Sequence, residues 1–151
     1  MSEARPSVLP VAIERAMPGP CSLCGGTGGI RDADGWRCVD CGWRVGDAPD
    51  PELPRRRVDV VYYLRWDDRV KIGTTSDPRR RLQAIWHQEL LAFEPGGRAL
   101  EQQRHGQFAE FREGGEWFRY SPELRAHVTA IRGDLDPWRR YASWLSEALR
   151  P

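Results

Sequence analysis

A chain of 151 residues with 23 basic and 22 acidic side chains, 40% hydrophobic residues and a mean hydropathy of -0.65 has room for one ordinary domain, or a small one with an accessory module. The near-zero net charge excludes a histone-like polycation, so any hold on nucleic acid must come from local patches. No run approaches the roughly 18 consecutive apolar residues of a membrane helix, and the first twenty residues lack the apolar stretch of a secretory signal, so the expectation is a cytoplasmic protein with no membrane partner.

Residues 1–20, with Pro6, Pro10, Pro18, Gly19 and Pro20, carry no sustained period and are expected to be a flexible lead-in. Residues 21–46 hold all four cysteines, spaced as Cys21-x2-Cys24, thirteen residues, then Cys38-x2-Cys41. Two such knuckles place four thiolates on two tight turns that can converge on one zinc ion. Gly25, Gly26 and Gly42 supply the backbone freedom that lets amides point at the sulfurs, and Asp34-Gly35 marks a hairpin between the knuckles. Disulfides or free thiols are the competing readings, and paired CxxC in a cytoplasmic chain disfavours them. Four cysteines complete the tetrahedron, so the zinc would be structural and would supply the folding energy of a module too small for its own core. Trp36, Trp43, Arg37 and Arg44 either stack on and neutralise a nucleic-acid strand or, for the two tryptophans, form the ribbon's own small core.

Residues 47–57, with three prolines and a switch from acidic to basic side chains, have the composition of a semi-rigid linker. The main domain is expected over 58–132. Residues 58–74 are β-branched and aromatic on either side of Asp67-Asp68, the pattern of a β-hairpin. A turn centred there makes facing positions sum to 135, pairing Tyr62 with Gly73 and Leu64 with Lys71. Tyr62, Lys71 and Gly73 then share one face, with Tyr62 and Lys71 diagonal neighbours. A bulge would shift this register by one. Lys71 is the one lysine in the chain.

Asp77-Pro78 opens a helix expected to run to about Leu90, with Leu82, Ile85 and Trp86 on its apolar face and Arg79, Arg80 and Arg81 in its first turn. Three cations where the helix dipole disfavours them suggest an anion nearby, against the plain alternative of a solvated charged face. Leu90 to Gly97 offers a third strand. A second helix from about Arg98 to Arg112 puts Glu101 and His105 at i and i+4, on one face. Glu116-Trp117-Phe118 is expected as a short strand whose Trp and Phe enter the core, with Glu116 capping that region or facing the site. Helices follow from Ser121-Pro122 and from Asp136-Pro137, and residues 133–151 are expected to pack on the domain or on a second copy through an aromatic stripe.

Val60-Val61-Tyr62, then Lys71-Ile72-Gly73, a helix with Arg81, Glu101-x3-His105 and Glu116-Trp117-Phe118 together resemble the GIY-YIG nuclease superfamily. The likeness is to the phage and bacterial branch whose second motif often reads Lys-Ile-Gly, and it spans roughly residues 58–127. It implies an α/β (α+β) fold, a small three-stranded antiparallel sheet flanked by helices, here preceded by a zinc ribbon. It also implies a catalytic set of Tyr62, Lys71, Arg81, Glu101 and His105, with Glu101 binding Mg²⁺ or, in its place, Mn²⁺. The departures are Val60 in place of glycine in the first motif and Lys71 in place of tyrosine in the second.

In that resemblance Tyr62 deprotonates the attacking water, and its phenol needs nearby positive charge to do so near neutral pH. Lys71 and Arg81 are on hand, and Arg81 can also grip a phosphate edge with two donors. The implied activity is metal-dependent hydrolysis of DNA, with the ribbon assisting binding. A nucleic-acid-binding protein that has lost turnover and a protein-interaction module are the alternatives.

Overall fold

The structure, a computed structural model, describes residues 13–45 and 57–149. The linker expected over 47–57 lies outside these except for Arg57, as do residues 1–12 of the lead-in. The described chain is α+β, with two antiparallel sheets and four α-helices.

The first sheet has the order β1 (Glu14–Ala16), β2 (Gly28–Asp32), β3 (Gly35–Cys38). β2 and β3 form the hairpin between the knuckles. Its turn residues are Ala33 and Asp34, one position earlier than the Asp-Gly signal suggests, and the Asp34 amide donates to the Asp32 carboxylate (2.8 Å). β1 corrects the reading of residues 1–20 as a lead-in. Glu14, Arg15 and Ala16 pair with Ile30, Gly29 and Gly28, and Met17 is buried beneath the cysteines. A three-residue strand is too short to show a period, so its sequence gave no sign of pairing.

The second sheet has five strands in the order β6-β4-β5-β8-β7. β4 (Val60–Trp66) and β5 (Arg69–Thr75) make the hairpin in the expected register, Tyr62 opposite Gly73 and Leu64 opposite Lys71. Asp67 takes the positive φ of 53° that a two-residue hairpin turn requires. β6 (Glu89–Pro95) is the third strand. β7 (Arg112–Gly114) and β8 (Trp117–Arg119) extend the sheet beyond the three strands expected, because β8 pairs with β5 through Val70 and Lys71. Both edge strands are irregular. β6 skips a residue between Ala92 and Leu90 where it pairs with β4, and β7 shifts register against β8 between Arg112 and Gly114.

Helix α1 (Pro78–Gln83) has the Asp77 cap, whose carboxylate accepts from the Arg80 amide, and stops seven residues short of the expected end. The chain is pulled away because the Gln88 amide donates to the Arg65 carbonyl (2.8 Å) and starts β6. Leu82 is buried as expected, but Trp86, expected on the helix's apolar face, lies beyond the helix and is 83% exposed. α2 (Arg98–Gln107) is followed by a single 3-10 turn, α3 (Pro122–Arg132) by α4 (Pro137–Leu149).

Alternation along β4 separates two cores. Val61 and Tyr63 face Phe108, Phe118, Leu124 and Val128, while Val60, Tyr62 and Leu64 face Leu82, Phe93 and Tyr141. On the first side a half-buried polar cluster ties four elements together. The Tyr63 hydroxyl donates to Glu94 (2.9 Å) and lies 3.0 Å from His127 Nε2, and Arg104 donates two hydrogen bonds to Glu94 (3.0 and 2.6 Å). Burial alone would raise the Glu94 pKa, but Arg104 and Tyr63 hold it below the usual carboxylate range. α4 closes the second side, Trp138 meeting Phe93 edge-on at 5.0 Å. Its other face packs against the first sheet, Ala142 and Leu145 lying among the cysteines. No helix among the described residues is long and apolar enough to cross a membrane.

Candidate functional site

The knuckles bring Cys21, Cys24, Cys38 and Cys41 together. All four are buried and free of disulfides, with every sulfur within 4.8 Å of the others. Cys21–Cys41 and Cys24–Cys38 sulfurs are each 3.7 Å apart. A disulfide needs about 2.05 Å, whereas a tetrahedron with metal–sulfur bonds of about 2.3 Å has an edge of ~3.8 Å. The amides of Gly26 and Trp43 donate to Cys24 and Cys41 sulfurs (3.3 and 3.4 Å), and Gly25 and Gly42 turn the chain with φ of 76° and 77°. The neighbouring Cys41 thiol pulls the Cys24 pKa down to about 5, while that same neighbour and burial push Cys41 up. This donor set can bind a metal such as zinc, and its four thiols match the four ligands of a structural site. Trp36 and Trp43 pack against the cluster, so the second reading of these tryptophans, as the module's own core, is the one the packing fits.

The second site is a polar cavity of about 430 Å³ beside β4 and β5, lined by Tyr62, Thr74, Arg81, Glu101, His105 and Glu116 together with Arg98, Gln102 and Arg112. Four of the five residues singled out in the sequence meet here from three elements: Tyr62 from β4, Arg81 from α1, Glu101 and His105 from α2. Gly73 lies directly under Tyr62, where a Cβ would overlap the phenol hydroxyl. Tyr62 is 1% exposed as a residue. Burial raises its pKa above the ordinary value, and the Arg81 guanidinium beside it works in the opposite direction without overcoming burial.

Lys71 stands apart from the others. It shares the Tyr62 face, as the register requires, but it does not line the cavity. Its ammonium is 3.7 Å from the Glu116 carboxylate and 5.7 Å from the Trp117 ring. Arg81, not Lys71, is therefore the cation next to the phenol. His105 Nε2 sits 2.8 Å from the Ile72 carbonyl, which fixes it as the donor and pins α2 to β5, and it lies 3.9 Å from Glu101.

Glu101 is only 6% exposed, and among the described residues His105 is its one charged partner within 4 Å. A buried carboxylate with no arginine or lysine on it is a fit for a divalent cation, since an uncompensated buried charge is costly.

Comparison with family models, with curated proteins and with solved structures gave no significant match. The side chains alone carry the functional argument.

Sequence reasoning missed Arg98, Gln102, Arg112 and Thr74 as cavity residues. The first two had a readable signal, because Arg98, Glu101, Gln102 and His105 follow the i, i+3, i+4, i+7 rhythm of one helix face. Glu116 does face the site. Phe118 enters the core as expected, whereas Trp117, expected there too, is half-buried on the opposite side of β8.

A larger cavity of about 540 Å³ lies between the hairpin tip and α3. Its charges largely satisfy one another, Glu89 pairing with Arg65 (3.2 Å) and Arg132 (3.8 Å).

Proposed function

We propose that the protein is a metal-dependent endonuclease of the GIY-YIG type that hydrolyses DNA phosphodiester bonds, with the thiol cluster holding a structural zinc. The observation that carries this reading is the convergence of Tyr62, Arg81 and Glu101 on one polar cavity from positions 39 residues apart in the chain. Glu101 would hold Mg²⁺, which when bound supplies neutralisation of the phosphate and of the departing oxygen. Tyr62 takes the proton of the attacking water, and Arg81 stabilises the phenolate and offers two donors to a phosphate edge. Gly73 leaves the Tyr62 hydroxyl open to the cavity. His105 keeps Glu101 in place by anchoring α2 to β5. Glu116 holds Lys71 at the cavity rim, where the ammonium adds to the positive field around the scissile phosphate. The module 21–46 is an accessory to the domain 58–132, joined by the linker 47–57.

Supercoiled plasmid incubated with the protein and Mg²⁺, Mn²⁺ or EDTA tests the reading. Cleavage is expected with either metal and not with EDTA, and Tyr62→Phe and Glu101→Ala should each lower the rate by about 10²-fold or more. A protein that binds DNA with steep salt dependence yet leaves every substrate intact would instead be a binding platform on the same fold. Burial of the Tyr62 phenol, which raises its pKa and so makes it a poorer base near neutral pH, favours that second reading.

A further inference from the structure

The sheet face that carries Tyr62 continues past the cavity. Alternation along β4 places Leu64 and Trp66 on the same side as Tyr62, and Trp66 pairs with Arg69, Leu64 with Lys71, and Lys71 with Trp117. The side chains follow. Arg69 and Lys71 reach over the Trp117 ring at 5.6 and 5.7 Å from its centre. Trp86 leans on Trp66 with ring centres 6.3 Å apart and planes at 59°. The result is a stripe of indoles and cations running from the Lys71–Glu116 pair at the cavity rim to Trp86. From Tyr62 to Trp66 it covers four residues of strand, about 13 Å.

Two features are unexplained by folding. Trp86 leaves 83% of its surface in water, so it gains little from burial. Arg69 has no carboxylate within 4 Å among the described residues, so its charge is free for a ligand. An exposed indole, Trp86, leaning on the half-buried Trp66, with Arg69 and Lys71 over the half-buried Trp117, complements a polyanion whose bases present open faces. A duplex hides those faces in its own stack, whereas a single strand offers them.

We propose that this stripe binds single-stranded DNA leading away from the cavity, with bases stacking on Trp86 and Trp66 and phosphates meeting Arg69 and Lys71. The substrate class of the cavity is then DNA with an unpaired segment next to the cut. This assignment rests on the nuclease reading for its second half alone, since the binding half is measured without cleavage.

The test uses the intact zinc-loaded protein in magnesium-free buffer with a short oligothymidylate and a blunt duplex of equal length, followed by tryptophan fluorescence and anisotropy. Oligothymidylate should quench the fluorescence and bind more tightly than the duplex. Trp86→Ala should weaken that binding about tenfold, Trp86→Phe should restore most of it, and neither should change duplex binding. Because Trp86 is so exposed, both variants keep the fold, which circular dichroism checks. Equal oligothymidylate binding by wild type and Trp86→Ala overturns the proposal, as does a preference for the blunt duplex.

A second arm with Mg²⁺ compares cleavage of blunt and single-strand-tailed duplexes. Preference for the tailed substrate, lost in Trp86→Ala, supports the substrate assignment. Cleavage indifferent to tail and variant overturns that assignment while leaving the nuclease intact. No cleavage of either, with the Trp86 effect on binding preserved, removes the nuclease reading and its substrate class, and upholds the strand-binding stripe.

Discussion

Gly73 is the residue whose substitution speaks most directly about the cavity. A methyl group there would overlap the Tyr62 hydroxyl, and the phenol has no room to retreat because its ring is buried against Leu82 and Phe93. Gly73→Ala should therefore displace the hydroxyl, lower cleavage by about 10²-fold through misplacement, and cost about 1–3 kcal/mol by overpacking. Plasmid cleavage beside a thermal melt measures both. The phenols also set an alkaline limit. Burial raises the pKa values of Tyr62, Tyr63 and Tyr141 in the folded protein above those in the unfolded chain. Stability from these groups is fully present below the unfolded tyrosine value of about 10 and is lost as pH climbs past it, because the unfolded chain releases protons that the folded one retains. A denaturant titration should show the midpoint falling above about pH 10. Cleavage should behave oppositely on its rising limb, gaining about tenfold per pH unit up to that limit as Tyr62 phenolate becomes available.

At the level of elements, the half-buried polar link between β4, β6, α2 and α3 is a sensitive joint. Glu94→Ala would leave the half-buried Arg104 with only Gln107 as a hydrogen-bond partner and the Tyr63 hydroxyl with only His127 beside it, a loss of about 1–3 kcal/mol. Chemical denaturation measures it, and a loss below 1 kcal/mol would show that water replaces the carboxylate. The hairpin β4–β5 was legible in the sequence because β-branched and aromatic runs on either side of a two-residue turn fix a register through local rules, and the Asp77-Pro78 and Ser121-Pro122 helix starts were legible because capping is local too. The helix ends and partners set by distant residues were not. α1 stops where it does because of a bond from Gln88 to Arg65, and Lys71 is diverted by Glu116, 45 positions along the chain. β7 and β1 are three residues each, below the length at which a pattern can register.

At the scale of the whole molecule, the thiol cluster and the cavity are joined through Arg79 and α4. Arg79 donates to the Cys24 carbonyl (2.5 Å), stacks over Trp138 at 4.6 Å, and sits two residues from Arg81 on α1. Arg139 adds a salt bridge to Asp40 (3.2 Å), within the second knuckle. Removing the metal with a strong chelator should unfold the knuckles, since thiolates supply most of their interior, while the five-stranded sheet keeps its separate core. Circular dichroism should show only a partial loss of structure, and cleavage measured afterwards in Mg²⁺ should fall by more than that loss, because α1 has lost one of its supports. Cooperative unfolding of the whole chain on chelation would instead make the two sheets one folding unit.

The irregular outer strands bear on how the molecule meets its own copies. β6 carries a skipped residue, Glu89, Glu94 and a terminal proline, and β7 offers three exposed residues that end in glycine. Neither presents the long flat ladder on which a neighbouring chain could continue the sheet. Concentrated solutions should thus resist fibril growth through strand addition to the five-stranded sheet.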